Sequence, residues 1–234
     1  MKHTIVVKLG GSIISTKNNI VDFRYLMRLK KILIELTNNN FKIFITTGGG
    51  FLARNYISIC RDYVEDEMDL HWIGTTCNNL NAEIVRAILG GLANDRIVYY
   101  EQYYDDTKFR FEKKIILGGG GRAGHSGDVD AILASRKINS KTIFSLKNID
   151  GVYSADPKKD TNAQRIDKLS WDEYFRIIGF KKEHEPGGNY PVDPIASQMA
   201  KKDGIKFIIL DGKNLENFKN AVLGKKFLGS VISN

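Results

Sequence analysis

Residues Leu117–Asp130 read LGGGGRAGHSGDVD. An apolar pair, Ile115-Ile116, leads into the stretch, and an apolar helical pattern through Ile132, Leu133 and Arg136 follows it. Glycine disfavours both helix and strand because its backbone loses the most freedom on ordering. Six glycines between a strand and a helix therefore mark a passage in which main-chain amides are left free. Such a passage points unpaired N–H groups and the positive end of a helix at whatever lies beyond the strand, which suits phosphate oxygens.

The same arrangement occurs twice more upstream. HTIVVKL (His3–Leu9) is a short β-branched run that ends at Gly10-Gly11, and KIFITT (Lys42–Thr47) runs into Gly48-Gly49-Gly50. Between them Asp22 is placed to cap a helix to about Leu36, with Asn38-Asn39-Asn40 stopping it. Helices are expected over about 51–61 and 69–89, and strands over 96–99 and 114–117. Further on, strands are expected over 141–146, 205–210 and 229–232. Ser170 is placed to cap a helix to Ile178, Asp193-Pro194 to open one running to Lys202, and 215–222 to form another. Lys181–Tyr190 is polar and reads as a mobile loop. Strands alternating with helices predict an α/β fold, a sandwich built on a central, mostly parallel sheet. Ligands of such sheets bind beyond the carboxyl ends of the strands, where all three glycine clusters fall.

Composition narrows the function. The 234 residues are 42% hydrophobic and 26% charged, with a formal net charge of +8. The excess lysine is scattered in doublets rather than gathered into a basic arm, so no nucleic-acid partner is expected. No apolar run nears the ~20 residues of a membrane helix. The opening MKHTIVVKLGG is too short in its apolar run for a signal peptide. Cys60 and Cys77 lack metal-ligand spacing, which fits a reduced, cytoplasmic protein. Neither GxxxxGK[ST] nor GxGxxG is present, so a different phosphate-handling fold is required.

VVKLGGS (Val6–Ser12), TTGGGFLARNYI (Thr46–Ile57) and KNIDGVYSADPKKD (Lys147–Asp160) resemble the amino acid kinase family, in its order and spacing. With NYPVDPIA (Asn189–Ala196), the middle motif is most similar to the archaeal uridylate (UMP) kinase branch. The resemblance implies a three-layer α/β/α sandwich as a single domain over 1–234. Acceptor-binding elements would lie mainly in its N-terminal half and ATP-binding elements mainly in its C-terminal half. It also implies ATP with Mg²⁺, UMP as phosphate acceptor, and a homo-oligomer, commonly a hexamer.

Roles follow by the same resemblance. Lys8 would neutralise charge on the transferring phosphates, with Gly10, Gly11 and Ser12 as donors to them. Gly49 would face the acceptor and Gly50 the ATP. Arg54, one helical turn on, would reach back to a phosphate with two parallel bonds. Lys147, Asn148, Tyr153 and Asp156 match positions around the ATP base and sugar. Gly118–Gly127 would wrap the acceptor, with Gly121, Gly124 and Gly127 shaping the loop and Arg122, His125 and Ser126 supplying polar contacts. Asp128 reads either as a helix N-cap or as a group orienting the acceptor or the Mg²⁺ shell. Asp130 reads as a solvated first-turn carboxylate. No metal ligands are assigned: a phosphate acceptor is already ionised, and Mg²⁺ can be held by phosphates and water.

The departures fall on the acceptor side. An aspartate usual ahead of the glycine of the second helical region is His71, which would bind a sugar hydroxyl or phosphate, or pack beside Trp72. The usual threonine pair before the loop aspartate is Ser126-Gly127, and Gln198 replaces a lysine. SGD before a helix is also similar to isopentenyl phosphate kinases, but their histidine-bearing second loop is GGGFLAR here. Two alternatives therefore stand beside UMP phosphorylation. One is a same-fold kinase of another small phosphate monoester or a carboxylate. The other is a non-catalytic oxyanion-storage or nucleotide-sensing relative.

Overall fold

The computed structural model describes residues 3–18, 20–105, 108–157, 159–179 and 190–234. The loop expected over 181–190 lies outside them, apart from Tyr190. Three parallel strands carry the three glycine clusters: β1 (His3–Leu9), β2 (Phe41–Thr47) and β3 (Ile115–Gly118). With β4 (Thr142–Lys147), β7 (Lys168–Ser170), β8 (Lys206–Asp211) and β9 (Ser230–Ser233) they form one sheet in the order β3-β2-β1-β4-β8-β9-β7. Every pairing in it is parallel except β8 with β9. A small hairpin, β5 (Val152–Tyr153) with β6 (Arg165–Ile166), stands apart from it.

Successive side chains of a strand point to opposite faces, and the sequence uses both. Ile5, Val7 and Leu9 of β1, with Ile43 and Ile45 of β2, pack under α2 (Phe23–Asn38), α4 (Glu67–Leu89) and α9 (Leu215–Val222). Val6, Phe44, Ile116 and Ile143 face the other way, under α6 (Gly127–Ile138), α7 (Trp171–Ile178) and α8 (Pro194–Asp203). The result is a three-layer α/β/α sandwich with an apolar core on each side of the sheet. Strands buried on both faces explain the near-continuous apolar runs in the sequence.

The expected caps form. Asp22 accepts from the Tyr25 amide, Ser170 makes a capping box with Glu173, and Asp193 accepts from Ile195 and Ala196 with Pro194 at the first helical position. One expected strand does not form. In Arg96–Tyr99 only Val98 reaches β3, bridging Gly118, before α5 (Tyr100–Tyr104) begins. Burial of Ile97 and Val98 satisfies the apolar pattern without a ladder. Two elements that the sequence did not announce sit beside the glycine tips: the single turn α1 (Gly11–Ile14) and α5.

Candidate active site

Strand alternation places a polar row at the carboxyl edge of the sheet, on the face covered by α6. Lys8 is in register with Thr46 on one side and Ser145 on the other. All three are two residues beyond core positions of the same face, Val6, Phe44 and Ile143. Lys147, two further along β4, joins them. The hydroxyls of Thr46 and Ser145 are buried with no hydrogen-bond partner among the described residues. Buried polar atoms of this kind call for an explanation, and here they flank an ammonium.

The first turn of α6 supplies the counter-charge. Ser126 is the N-cap and accepts from the Val129 amide, so the capping role considered for Asp128 belongs to Ser126. Asp128 is thereby freed to point into the polar row. Its Oδ1 lies 3.3 Å from Lys8 Nζ, an ion pair without an aligned hydrogen bond, and its Oδ2 accepts from Lys147 Nζ at 3.1 Å. Oδ2 also accepts from the Asp193 amide at the start of α8. Two lysines from adjacent strands thus converge on one carboxylate. Burial opposes ionisation of Asp128, but Lys147 and Lys8 outweigh it and hold the carboxyl down to about 2. Burial also pulls Lys147 down to about 8, with Asp128 pulling the other way. Side-chain exposures of 14%, 6% and 13% for Lys8, Asp128 and Lys147 leave little water to screen the three charges.

The first two glycine tips meet beside this cluster. A methyl group placed on Gly11 would fall 2.5 Å from the Gly48 carbonyl carbon, and one on Gly50 would collide with the Gly11 carbonyl. Gly50 also has φ +63°, a region costly for residues with a Cβ. Only glycine allows these backbones to approach so closely. Gly10 donates to the Leu146 carbonyl, tying the first tip to β4, and Gly127 faces Lys8 Cε. Ser12 follows in α1, half-buried.

On the other side of the tips, α4 presents Asn78, Asn79 and Asn81. Asn81 Nδ2 donates to the Gly48 carbonyl at 2.7 Å, and Asn79 Oδ1 accepts from the Gly120 amide at 3.0 Å. They stitch the tips of β2 and β3 to one helix. Sequence reasoning missed these residues. A cue existed: three asparagines in four positions of a long helix run against helix propensity.

The remaining expected residues spread around this centre. Arg54, one turn into α3 (Gly50–Cys60), is exposed and has no ion pair among the described residues. Gly49, its N-cap, packs against Ala53, Asn78 and Cys77. His71 is half-buried on α4, and Trp72 beside it is 41% exposed. In the loop after β3, Gly124 has φ +81°, Arg122 is exposed, and His125 Nδ1 lies 2.8 Å from the Tyr104 hydroxyl. Asn148, Tyr153 and Asp156 are not joined to the lysine–aspartate cluster by any hydrogen bond among the described residues. Tyr153 instead donates to Asp150, at the mouth of the β5–β6 hairpin. Lys147 parts company with them, because the alternation of β4 turns it towards Asp128.

Asp130 overturns its expectation. It is 1% exposed, wedged beneath Gly121, with Oδ1 lacking a hydrogen-bond partner among the described residues. Burial pushes its carboxyl up to about 7; the Gly121 amide and Lys8 act against the rise, and the charge of Asp128 adds to it. The physical reason is that α6 is buried on all sides, every residue from Asp128 to Ser135 being inaccessible. The apolar residues around the whole helix (Val129, Ala131, Ile132, Leu133 and Ala134) were the signal for this.

Comparison with known proteins identifies the family. Residues 3–211 match the model of the amino acid kinase family. The chain is 31% identical over 230 residues to a uridylate kinase of Methanocorpusculum labreanum, covering 98% of this chain and 95% of that one. It is 32% identical over 219 residues to a uridylate kinase of Methanococcoides burtonii, covering 94% and 91%. A crystal structure of uridylate kinase from Archaeoglobus fulgidus superposes with a TM-score of 0.81 at 29% identity, over the full length of both chains. Motifs, sheet order and these matches lead to one conclusion: the chain belongs to the amino acid kinase family.

Proposed function

We infer that this protein transfers the γ-phosphoryl group of ATP to UMP, giving UDP and ADP. The observation that carries the reading is the largely buried Lys8–Asp128–Lys147 cluster at the carboxyl edge of the sheet, beside the glycine tips of β1 and β2. Phosphoryl transfer needs little covalent help from a protein; it needs in-line positioning and neutralisation of charge. The acceptor phosphate is already ionised near neutral pH, so no general base is required. Lys8 and Lys147 lie where charge shifts between the leaving and transferred phosphates, and Gly10, Gly11, Ser12 and Gly50 offer donors around them. Asp128 is a positioning residue: it holds both ammonium groups towards the same space. Arg54 closes on the phosphates from α3, while Asn148, Tyr153 and Asp156 flank the nucleoside of ATP. Gly49, His71 and the loop containing Gly121, Arg122, Gly124, His125, Ser126 and Gly127 form the acceptor side. Mg²⁺ supplies further neutralisation of the phosphates when bound. The described residues contain no cluster of three acidic, histidine or cysteine side chains, so in this reading phosphate oxygens and water carry the ion. The substrates place the protein in the cytoplasm.

The deciding experiment is ADP release from Mg·ATP with UMP, CMP, isopentenyl phosphate and amino acids as acceptors. UMP-selective turnover is expected. Turnover with another acceptor alone would instead select a same-fold kinase, a reading favoured by His71 and by Ser126-Gly127. Nucleotide binding without acceptor-stimulated turnover would select a storage or sensing role.

We further infer self-association. The helix α3 is largely apolar (GFLARNYISIC) yet has no buried residue. Tyr56 and Ile59 on it, with Tyr63 just beyond, are 49%, 58% and 86% exposed. An apolar face of this kind marks an interface. Light scattering is expected to report a molar mass that is a multiple of the chain's; a monomer at micromolar concentration would end this part of the reading.

A further inference from the structure

The three asparagines of α4 are not used alike. The amides of Asn79 and Asn81 are engaged by the tips of β3 and β2. Asn78 uses only its main-chain carbonyl, which accepts from Thr47 Oγ1 at 2.9 Å. Its side-chain amide has no hydrogen-bond partner among the described residues, although it lies between two tips. A methyl group built on Gly49 would lie 2.8 Å from Asn78 Oδ1, and one built on Gly120 would lie 3.2 Å from Asn78 Nδ2. The side chain is half-buried. His71 lies seven residues earlier, two helical turns, and so on the same face of α4.

An asparagine in mid-helix costs propensity, and a half-buried carboxamide that makes no bond within the protein keeps its donors and acceptor available to a ligand. That cost is offset when a ligand group completes the pair. Asn78 thus lies against Gly49 and Gly120, two backbones that this reading assigns to the acceptor side. The geometry points to Asn78 as a specificity-determining residue of the acceptor pocket, its carboxamide hydrogen-bonding an uncharged polar group of the phosphate acceptor. That inference rests on the UMP kinase reading. A carboxamide carries one acceptor and two donors and no charge. It therefore suits a sugar hydroxyl or a pyrimidine edge, whereas phosphate is matched by the lysines and Arg54.

The test measures KM for UMP, dUMP, CMP and ATP with the parent protein, Asn78→Ala and Asn78→Ser. Asn78→Ala removes no bond within the protein, so both variants are expected to fold, as thermal unfolding will report. KM for UMP is expected to rise about tenfold in Asn78→Ala, the weight of one hydrogen bond, with KM for ATP unmoved and partial rescue by Asn78→Ser. The sugar 2′-hydroxyl as the partner predicts that KM for dUMP ignores the substitution, and the 3′-hydroxyl predicts that KM rises alike for UMP, dUMP and CMP. A base edge as the partner predicts that the preference for UMP over CMP collapses. If the parent phosphorylates UMP and all acceptor KM values stay unchanged in Asn78→Ala, or those for ATP rise equally, the inference alone is wrong. If the parent neither binds nor phosphorylates UMP, the proposed function is wrong and the inference goes with it.

Discussion

Lys8→Ala will lower turnover at least tenfold while leaving the fold intact, and Asp128→Ala will lower both turnover and stability. The two outcomes differ because the residues stand differently in one electrostatic unit. Lys8 is one of two cations around a single carboxylate. Its removal leaves Asp128 paired with Lys147 and bonded to the Asp193 amide through Oδ2, so the folded state keeps an ion-paired carboxylate. What is lost is an ammonium positioned before the substrate arrives, and a tenfold loss corresponds to only about 1.4 kcal/mol of transition-state stabilisation. Removing Asp128 leaves two largely buried ammonium groups facing each other without the carboxylate that pairs with both. Breaking a buried pair from one side costs about 3–5 kcal/mol, and Lys147 would shed its proton more readily still. Steady-state kinetics with circular dichroism and thermal unfolding separate the two cases. Near-parental turnover in Lys8→Ala would remove that lysine from the mechanism, and an Asp128→Ala protein as stable as the parent would mean the triad is not structural.

Stability should also fall as pH rises through neutrality, and Asp130→Asn should abolish the fall. Asp130 has its carboxyl raised from 3.8 to about 7 in the folded protein. Between these values the native state holds a proton that the unfolded chain has released. Stability therefore declines with increasing pH across this window and stays low above it. Asp128 behaves in the opposite sense. Its carboxyl is depressed to about 2, so its contribution is complete above the unfolded value of 3.8 and is lost only in acid. Lys147, lowered from 10.5 to about 8, alters the balance only in the alkaline range. The window from pH 5 to pH 7.5 thus belongs to Asp130 among these three. A three-unit displacement corresponds to roughly 4 kcal/mol at most. Asparagine has a similar shape and no charge, so the melting gap between parent and variant should be smallest near pH 4, smaller at pH 5 than at pH 8, and should widen up to about pH 7. At pH 8 the variant should melt on the order of 5–10 °C higher. The same melting gap at both pH values would show that Asp130 is not the group responsible.

Much of the site could be read along the chain, for local reasons. Lys8 ends a strand beside two glycines, Gly49 and Gly50 open a helix after a strand, and Asp193-Pro194 announces a helix start. Each signal needs only a few neighbouring residues. Lys147 was visible as part of a motif, but its partner was not. Asp128 lies 19 residues away on another element, and only the parallel pairing of β1 with β4 under α6 brings the three charges together. Asp130 was misread because a first-turn carboxylate is solvated on most helices; its burial depends on the sheet, α5 and α8 surrounding α6. The asparagines of α4 were passed over because their partners, Gly48 and Gly120, belong to loops 33 and 41 positions away in sequence.

By itself, the sequence determined the alternation of strands and helices, the helix caps and the three glycine passages, because these follow from backbone preferences and side-chain periodicity over short spans. Only the tertiary structure decided which charges share one buried space, which carboxyl is buried away from them, and which amide is left without a partner between two glycine tips. Those properties depend on distance and exclusion of water between segments far apart in the chain, and neither quantity exists until the layers have packed.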